Sequence, residues 1–402
     1  MYPRAVAKPP IVVDDAVPLA GEVFTKLGEV HALPSGAIDA ATLARIGARA
    51  LVVRSVTTVD AALLDACPEL EFVGTATAGL DHLDLEALAA REVAVADAAG
   101  CNSLAVAQWV AAALLTTRPR WPEALREAGD APTVGVVGHG HVGSKVARTL
   151  RALGFPVLVS DPFAPPSDPA VAVDFETLWR RSAIVSFHVP LTRGGLHPTA
   201  AMLAPVGEGG PPLAGPKLVV NTSRGPVVRD AALDRPDVRA AILDVWEGEP
   251  EPAAARLRDP KVLLASPHVA GYSLDAKIDA SLAVARQLAA RWGAERGAFE
   301  RGRWLGPAGV VEGGTSAEIL RAVVALEADD RSVRALAELE TGGAGASPRA
   351  RAFEALRRGY ALRREFGAWE AVGGDSRLDT LGFGRAKKGA DRTGPSEPKT
   401  AF

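Results

Sequence analysis

"TVGVVGHGHVGSKVARTLRALG", residues 133–154, decides the fold. An apolar, β-branched run ends at Gly138, and a short turn leads into a helical pattern beginning near Val142. Gly138, Gly140 and Gly143 fit G-x-G-x-x-G between a strand and a helix, and that setting carries more information than the pattern alone. The first glycine permits a tight turn, the second admits a pyrophosphate close to the backbone, and the third lets the helix pack near the sheet. The helix start then offers N–H groups and partial positive charge to phosphate. The competing reading, a metal held by His139 and His141, needs both rings to converge. Residues two apart on a turn point different ways, and no third ligand lies nearby in sequence. No metal is expected, and the stretch reads as a phosphate cradle. Asp161 closes the next apolar run, 18 residues beyond Gly143, where a carboxylate would accept hydrogen bonds from an adenosine ribose diol. It would also repel a 2′-phosphate, and "SDPFAPP" places no arginine beside it, so NAD is favoured over NADP.

Working outward, further strand-like runs follow at 155–161, 183–190, 217–223, 240–246 and 261–267, apolar on both faces as central strands of a doubly wound sheet are. An earlier series occupies 11–15, 50–55, 71–77 and 93–97, interleaved with short amphipathic helices such as "AATLARIGA". Alternation of this kind makes an α/β protein with two doubly wound parallel-sheet domains, the first flavodoxin-like and the second a Rossmann domain. Between the series, a buried-looking helix at 103–118 ends in "RPRWPEALREAGDAP", whose three prolines read as a domain crossing. The long amphipathic pattern at 273–293 would carry the chain back to the first domain. Beyond about 295 the chain is charged and helix-prone, and its last stretch, 386–402, is polar enough to be disordered.

Composition excludes several function classes. Forty-five basic against 48 acidic residues give a net charge of −3, with no support for a nucleic-acid or membrane surface. No apolar run reaches the roughly 18–20 residues that span a bilayer, and the first ten residues lack a secretory pattern. Cys67 and Cys101 form neither a disulfide framework nor a metal spacing. A cytoplasmic protein is the expectation.

Three later segments fall where strands of the second series end, the ligand-binding edge of such sheets. "NTSRGPVV" carries Arg224, "LDVWEGEP" carries Glu249 and "SPHVAGY" carries His268. Singly, each reads as well as a surface arginine, a solvated acid or a satisfied histidine. Together they supply what oxidation of a hydroxy acid requires. Histidine titrates near neutrality and can take the hydroxyl proton. A carboxylate orients the ring, and a guanidinium grips the substrate carboxylate through paired hydrogen bonds.

In order and spacing, "GHGHVG", "SDP", "NTSRGPVV", "LDVWEGEP" and "SPHVAGYS" resemble the motifs of the D-isomer-specific 2-hydroxyacid dehydrogenases, over about residues 10–293. The resemblance implies that Arg224, Glu249 and His268 are catalytic. It also implies that Gly138, Gly140, His141, Val142, Gly143, Asp161, Val189, Asp244 and Gly271 contact NAD. Asp244 matches the family's aspartate near the nicotinamide. "VRSVTTVDAALL", "FVGTATAGLDHLD" and "HVAGYSLDAK" look most like members acting on a phosphorylated four-carbon acid. On that footing Ser55, Thr77 and Tyr272 touch substrate and Arg54 is a candidate phosphate partner, with turn capping the alternative for Ser55 and Thr77. The implied organisation is a substrate domain (1–102 and 272–295), an NAD domain (103–271) and a small C-terminal dimerisation domain (296–385). "ALRRGYALRREF" carries the last point and the expected homodimer; Arg363 and Arg364 within it read as surface or interface residues able to reach a partner's site. One departure is a Gly/Pro-rich extension, "APVGEGGPPLAGP" at 204–216, expected on a surface loop. The alternatives are a dehydrogenase of another 2-hydroxy acid, such as 3-phosphoglycerate, and a non-catalytic NAD-sensing protein.

Overall fold

The computed structural model describes residues 8–77, 79–126, 131–164, 171–295, 297, 299–342 and 345–387. They form two compact units, one holding residues up to Asn102 with Ser273–Pro307, the other Ser103–Tyr272 with the chain from Ala308 on.

In the first unit, strands β1 (Pro10–Asp14), β2 (Glu29–Leu33), β3 (Ala50–Val53), β4 (Phe72–Thr75) and β5 (Ala94–Ala96) form one parallel sheet. Their order, β2-β1-β3-β4-β5, is the flavodoxin-like one. Central strands β3 and β4 are buried throughout, as their unbroken apolar runs require. β2, which the sequence reading missed, lies at the sheet edge and is buried at no position, so it carries no strand-like alternation. Helices following β2, β3 and β4 begin at Asp39, Asp60 and Asp84, each carboxylate accepting an N–H from the first turn. The helix Leu274–Arg291 packs on this sheet, with Val284 against Gly74 of β4.

The second unit contains β6 (Val134–Val137), β7 (Val157–Ser160), β8 (Ile184–Phe187), β9 (Lys217–Asn221), β10 (Val238–Leu243) and β11 (Val262–Ala265), all parallel. The sheet order is β11-β10-β9-β8-β6-β7. Outside β7, Ala172 bridges Val159 in parallel, with Val159 N–H donating to Val171 O (2.8 Å) and Val173 N–H to Val159 O (3.0 Å). Counting that bridge as a vestigial third strand gives the Rossmann order 3-2-1-4-5-6 with one strand added.

The passage between units falls between Asn102 and Ser103, at the edge of the 103–271 domain, and not in the proline-rich segment at 118–132. The reason is the helix Ser103–Thr117, which is apolar on every side, buried almost throughout, and packed on the helix His141–Ala152. Likewise the region 296–385 does not stand as a third unit. From Ala308 it builds a three-stranded parallel sheet, β12 (Gly309–Gly313), β13 (Trp369–Gly373) and β14 (Gly384–Arg385), unforeseen because these strands are short, Gly-bearing and half-exposed. The helix Leu326–Ala335 lies along edge strand β11, where Asp330 accepts the Ala265 N–H (2.8 Å) and thereby closes the edge. Most of the tail expected to be disordered, 388–402, lies outside the described residues. No helix among the described residues is long and apolar enough to cross a membrane.

The 204–216 extension is largely exposed, yet Arg235 holds it at its start and near its middle. Its guanidinium donates to the Ala204 (3.2 Å) and Pro211 (3.0 Å) carbonyls and pairs with Asp237 through two bonds of 3.0 Å. Burial pushes the Asp237 carboxyl up, but Arg235 more than offsets this and holds it below its ordinary value. Replacing Arg235 with Ala would leave a buried carboxylate without its partner, so Arg235→Ala is expected to cost about 3–5 kcal/mol in urea unfolding.

Candidate active site

The glycine turn is built by close approach. Gly138 has φ +90°, and a Cβ there would stand 2.4 Å from the His188 carbonyl oxygen. A Cβ on Gly143 would stand 1.9 Å from the Gly138 carbonyl oxygen, so the helix can begin this near the strand only with glycine. At Gly140 a Cβ would meet nothing within 4 Å, which leaves open the side where a pyrophosphate needs backbone contact. The helix starts at His141 with no side-chain cap, and Ser144 N–H makes the first return bond, to Gly140 O (3.1 Å). The N–H groups of His141, Val142 and Gly143 are therefore turned toward the cradle mouth.

A cleft of about 880 Å³ opens beside the turn at the carboxyl ends of β6, β7 and β8, where the strand order reverses. Gly138, Gly140, Asp161 and Val189 all line it. The Asp161 carboxylate accepts N–H bonds from His139 (2.6 Å), Phe163 (2.8 Å) and Ala164 (2.9 Å). Burial raises its pKa, but these donors outweigh it, so the group stays charged well into acid. His139 Nδ1 meets the Ala164 carbonyl (3.1 Å), and among the described residues no three His, Cys, Asp or Glu side chains group as metal ligands would. These features fit a dinucleotide. His188, which the sequence reading passed over, floors the cradle. Its ring contacts Ser186 Oγ (2.8 Å) and Thr222 Oγ1 (3.3 Å), and burial drives its pKa down to about 3, so it is neutral.

The second group of residues rises from β9, β10 and β11, which are neighbours in the sheet. Arg224 follows β9, exposed, with Nη1 donating to Ser223 O (2.8 Å). A Cβ on the next residue, Gly225, would stand 1.8 Å from Trp246 O, so glycine lets this turn press against the turn after β10. Glu249 lies in that second turn. Its Oε1 accepts Trp246 N–H (2.9 Å), and its Oε2 lies 2.7 Å from His268 Nδ1. His268 follows β11 in left-handed backbone (φ +62°), a conformation that costs a non-glycine residue about 1–2 kcal/mol.

What holds His268 there is Asp244. Asp244 is 1% exposed, and its carboxylate is directed into the segment carrying His268. It accepts Ser266 Oγ–H (2.5 Å) and the N–H groups of Val269 (2.7 Å) and Ala270 (3.1 Å), while its own carbonyl accepts the His268 N–H (2.7 Å). Burial raises its pKa, partly offset by the nearby His268 and these donors. Gly271 and Tyr272 continue the segment, and the Tyr272 ring stands edge-on to Tyr360 at 6.0 Å. Arg363 corrects an expectation. It is buried, not at the surface, and donates to the carbonyls of Ala105 (2.6 Å) and Ala270 (3.2 Å), because a guanidinium's several donors can serve otherwise scattered carbonyls.

In the first unit, Arg54 and Ser55 follow β3 and Thr77 follows β4, the neighbouring strand. Arg54 is half-buried and Ser55 exposed. Thr77 Oγ1 contacts Thr75 Oγ1 (2.8 Å), which in turn meets His82 Nε2 (3.0 Å). Burial lowers the His82 pKa.

Comparison with known proteins gives a consistent picture. Residues 109–270 match the family described as D-isomer specific 2-hydroxyacid dehydrogenase, NAD binding domain. The chain is 42% identical over 272 residues to erythronate-4-phosphate dehydrogenase of Pseudomonas putida GB-1, covering 66% of this chain and 68% of that one. It is 38% identical over 389 residues to the enzyme of the same name from Pseudomonas paraeruginosa PA7, covering 92% and 97%. Among solved structures, 2-hydroxyacid dehydrogenase from Ketogulonicigenium vulgare Y25 superposes with a TM-score of 0.57 at 27% identity, covering 72% of this chain and 97% of that one.

The Asp244 network makes a direct prediction. Asp244→Ala strips the acceptor from two buried N–H groups, each worth about 1–3 kcal/mol when left unsatisfied. The urea unfolding midpoint is expected to fall accordingly; a variant as stable as the parent would show that the segment does not depend on this carboxylate.

Proposed function

The chain belongs to the D-isomer-specific 2-hydroxyacid dehydrogenase family and is an NAD-dependent dehydrogenase; from that premise we propose that it oxidises 4-phospho-D-erythronate at C2. The product is 3-hydroxy-2-oxo-4-phosphooxybutanoate, and the step belongs to vitamin B6 biosynthesis. Likeness to the two Pseudomonas enzymes, one across nearly their whole length, supports this choice of substrate. The observation that carries the mechanism is the 2.7 Å contact between His268 Nδ1 and Glu249 Oε2.

NAD, when bound, supplies the hydride acceptor. Everything else falls to the chain. Glu249 fixes the His268 tautomer, because an Nδ1–H donated to a carboxylate leaves Nε2 with its lone pair. Nε2 takes the C2 hydroxyl proton, and Glu249 stabilises the imidazolium that forms. Arg224 grips the substrate carboxylate and polarises the developing carbonyl. Gly138, Gly140 and the N–H groups of His141, Val142 and Gly143 hold the pyrophosphate, Asp161 the ribose diol, and Val189 the adenosine side of the cleft, with Gly271 and Asp244 near the nicotinamide. Ser55, Thr77 and Tyr272 are the proposed substrate contacts. A cytoplasmic setting and a homodimer formed through the C-terminal region complete the reading, the latter testable by sedimentation.

His268→Ala is expected to lower turnover by about 10²–10⁴ with NAD affinity unchanged, read as NADH absorbance and by calorimetry. A variant keeping most of its rate removes His268 from the mechanism. A panel with 3-phosphoglycerate and unphosphorylated acids tests the substrate, and silence across the whole panel would favour a sensor.

A further inference from the structure

The first unit contains a juxtaposition that the proposed mechanism does not use. The helix Leu274–Arg291 runs antiparallel to β4: Trp292 Nε1, just beyond its end, bonds Glu71 Oε1 (2.5 Å) before the strand, while Val284 sits over Gly74 within it. Residues 277, 281 and 284 share one face of that helix, spaced by four and three. Seven residues back from Val284 is about 10 Å of helix, and Gly74 to Thr77 is about 10 Å of strand. Lys277 therefore leaves the sheet-facing side of the first helical turn at the level of Thr77. Asp275 and Asp279 lie on the opposite face, where both meet Arg301 (3.9 Å for Asp275).

Arg54 ends β3 beside this point, since β3 pairs with β4 and Ala76 N–H donates to Val53 O (2.9 Å). Four groups are thus placed at the carboxyl edge of two adjacent strands: a guanidinium, an ammonium and the hydroxyls of Ser55 and Thr77. Burial, and then the charge of Arg54, push the Lys277 ammonium down to about 8. Positive charge and neutral donors brought to one strand edge are what an oxyanion requires.

We propose that Lys277 and Arg54 form an oxyanion subsite on the first unit, with a phosphate monoester as its ligand and Ser55 and Thr77 as neutral donors. This rests on the reading of the substrate as phosphorylated. A dianionic phosphate presents three acceptor oxygens, enough for both cations and a hydroxyl. A compact ammonium on a flexible stem suits such a point charge, while the planar guanidinium can engage two oxygens at once.

The test compares the parent enzyme with Lys277→Met and Lys277→Arg. Steady-state kinetics use 4-phosphoerythronate and erythronate, and calorimetric titration uses inorganic phosphate. Lys277→Met is expected to raise KM for the phosphorylated acid about tenfold to a hundredfold, the range of a lost charge-assisted hydrogen bond. KM for NAD, and kcat/KM for erythronate, should hold, phosphate affinity should fall, and Lys277→Arg should recover most of the loss. Equal losses for both acids, or unchanged KM and phosphate affinity in a folded Lys277→Met protein, overturn the assignment. A parent enzyme inactive on 4-phosphoerythronate refutes the functional reading instead. In that case the phosphate titration alone decides the subsite: binding lost in Lys277→Met upholds it, and equal or no binding by the parent overturns it.

Discussion

A buried carboxylate organises the chemistry of the second unit. Asp244 ends β10 and directs both oxygens at Ser266, Val269 and Ala270, on the segment that follows neighbouring β11. That arrangement holds His268 in a left-handed backbone that its side chain would otherwise disfavour. With the backbone fixed, Nδ1 falls on Glu249, whose second oxygen is already tied to the Trp246 N–H. Trp246 closes the loop by donating Nε1–H to Ser266 O (3.0 Å). The ring's position is thus set by two adjacent turns that bond each other before any substrate is present, the kind of preorganisation that proton transfer rewards.

Much of this arrangement could be read from residues alone. Central strands announce themselves because both faces are buried, as "VGVV" and "LVVN" show, and the residues at their carboxyl ends inherit the ligand-binding edge. Arg224, Glu249 and His268 could be picked out on that ground. The anchoring role of Asp244 could not, because its partners are 22 to 26 residues away and its chemistry is equally suited to touching a cofactor. Arg363 is a sharper case. In "ALRRGYALRREF" it resembles any solvated arginine, and its burial follows from carbonyls 258 and 93 residues distant. Other strands escape detection for the opposite reason: β2, β12, β13 and β14 bury too little to leave a period in the sequence.

The C-terminal region has a structural logic of its own. A parallel sheet's last strand exposes unpaired backbone groups, and β11 precedes the segment that carries His268. The helix Leu326–Ala335 covers that edge, with Asp330 on the Ala265 N–H and Arg334 on the Val262 carbonyl (2.5 Å). Further along, Ser347 bonds Glu251 and Arg349 donates to Pro252 O (3.2 Å), so the turn bearing Glu249 is braced from the same side. Tyr360 and Arg363 do the same for Tyr272 and Ala270. The segments that supply Glu249 and His268 are therefore backed by residues after 308.

Charge is handled differently at the two proposed anion-binding places. At the glycine turn the floor is a histidine kept neutral by burial, and attraction for phosphate comes from helix N–H groups and open backbone. A fixed dipole of this kind suits a pyrophosphate shared by every dinucleotide and discriminates little among them. On the proposed reading discrimination falls to Asp161, whose carboxylate accepts three backbone donors at the rim of the cleft and would oppose a 2′-phosphate. At the edge of β3 and β4, by contrast, positive charge is supplied by side chains, Arg54 with Lys277 beside it. Two cationic side chains placed side by side attract a doubly charged group more strongly than a neutral one, so such a site suits a phosphate monoester. Under the proposed subsite, selectivity for a phosphorylated acid over its unphosphorylated form follows from that difference, because a hydroxyl in the same place offers the two cations no negative charge.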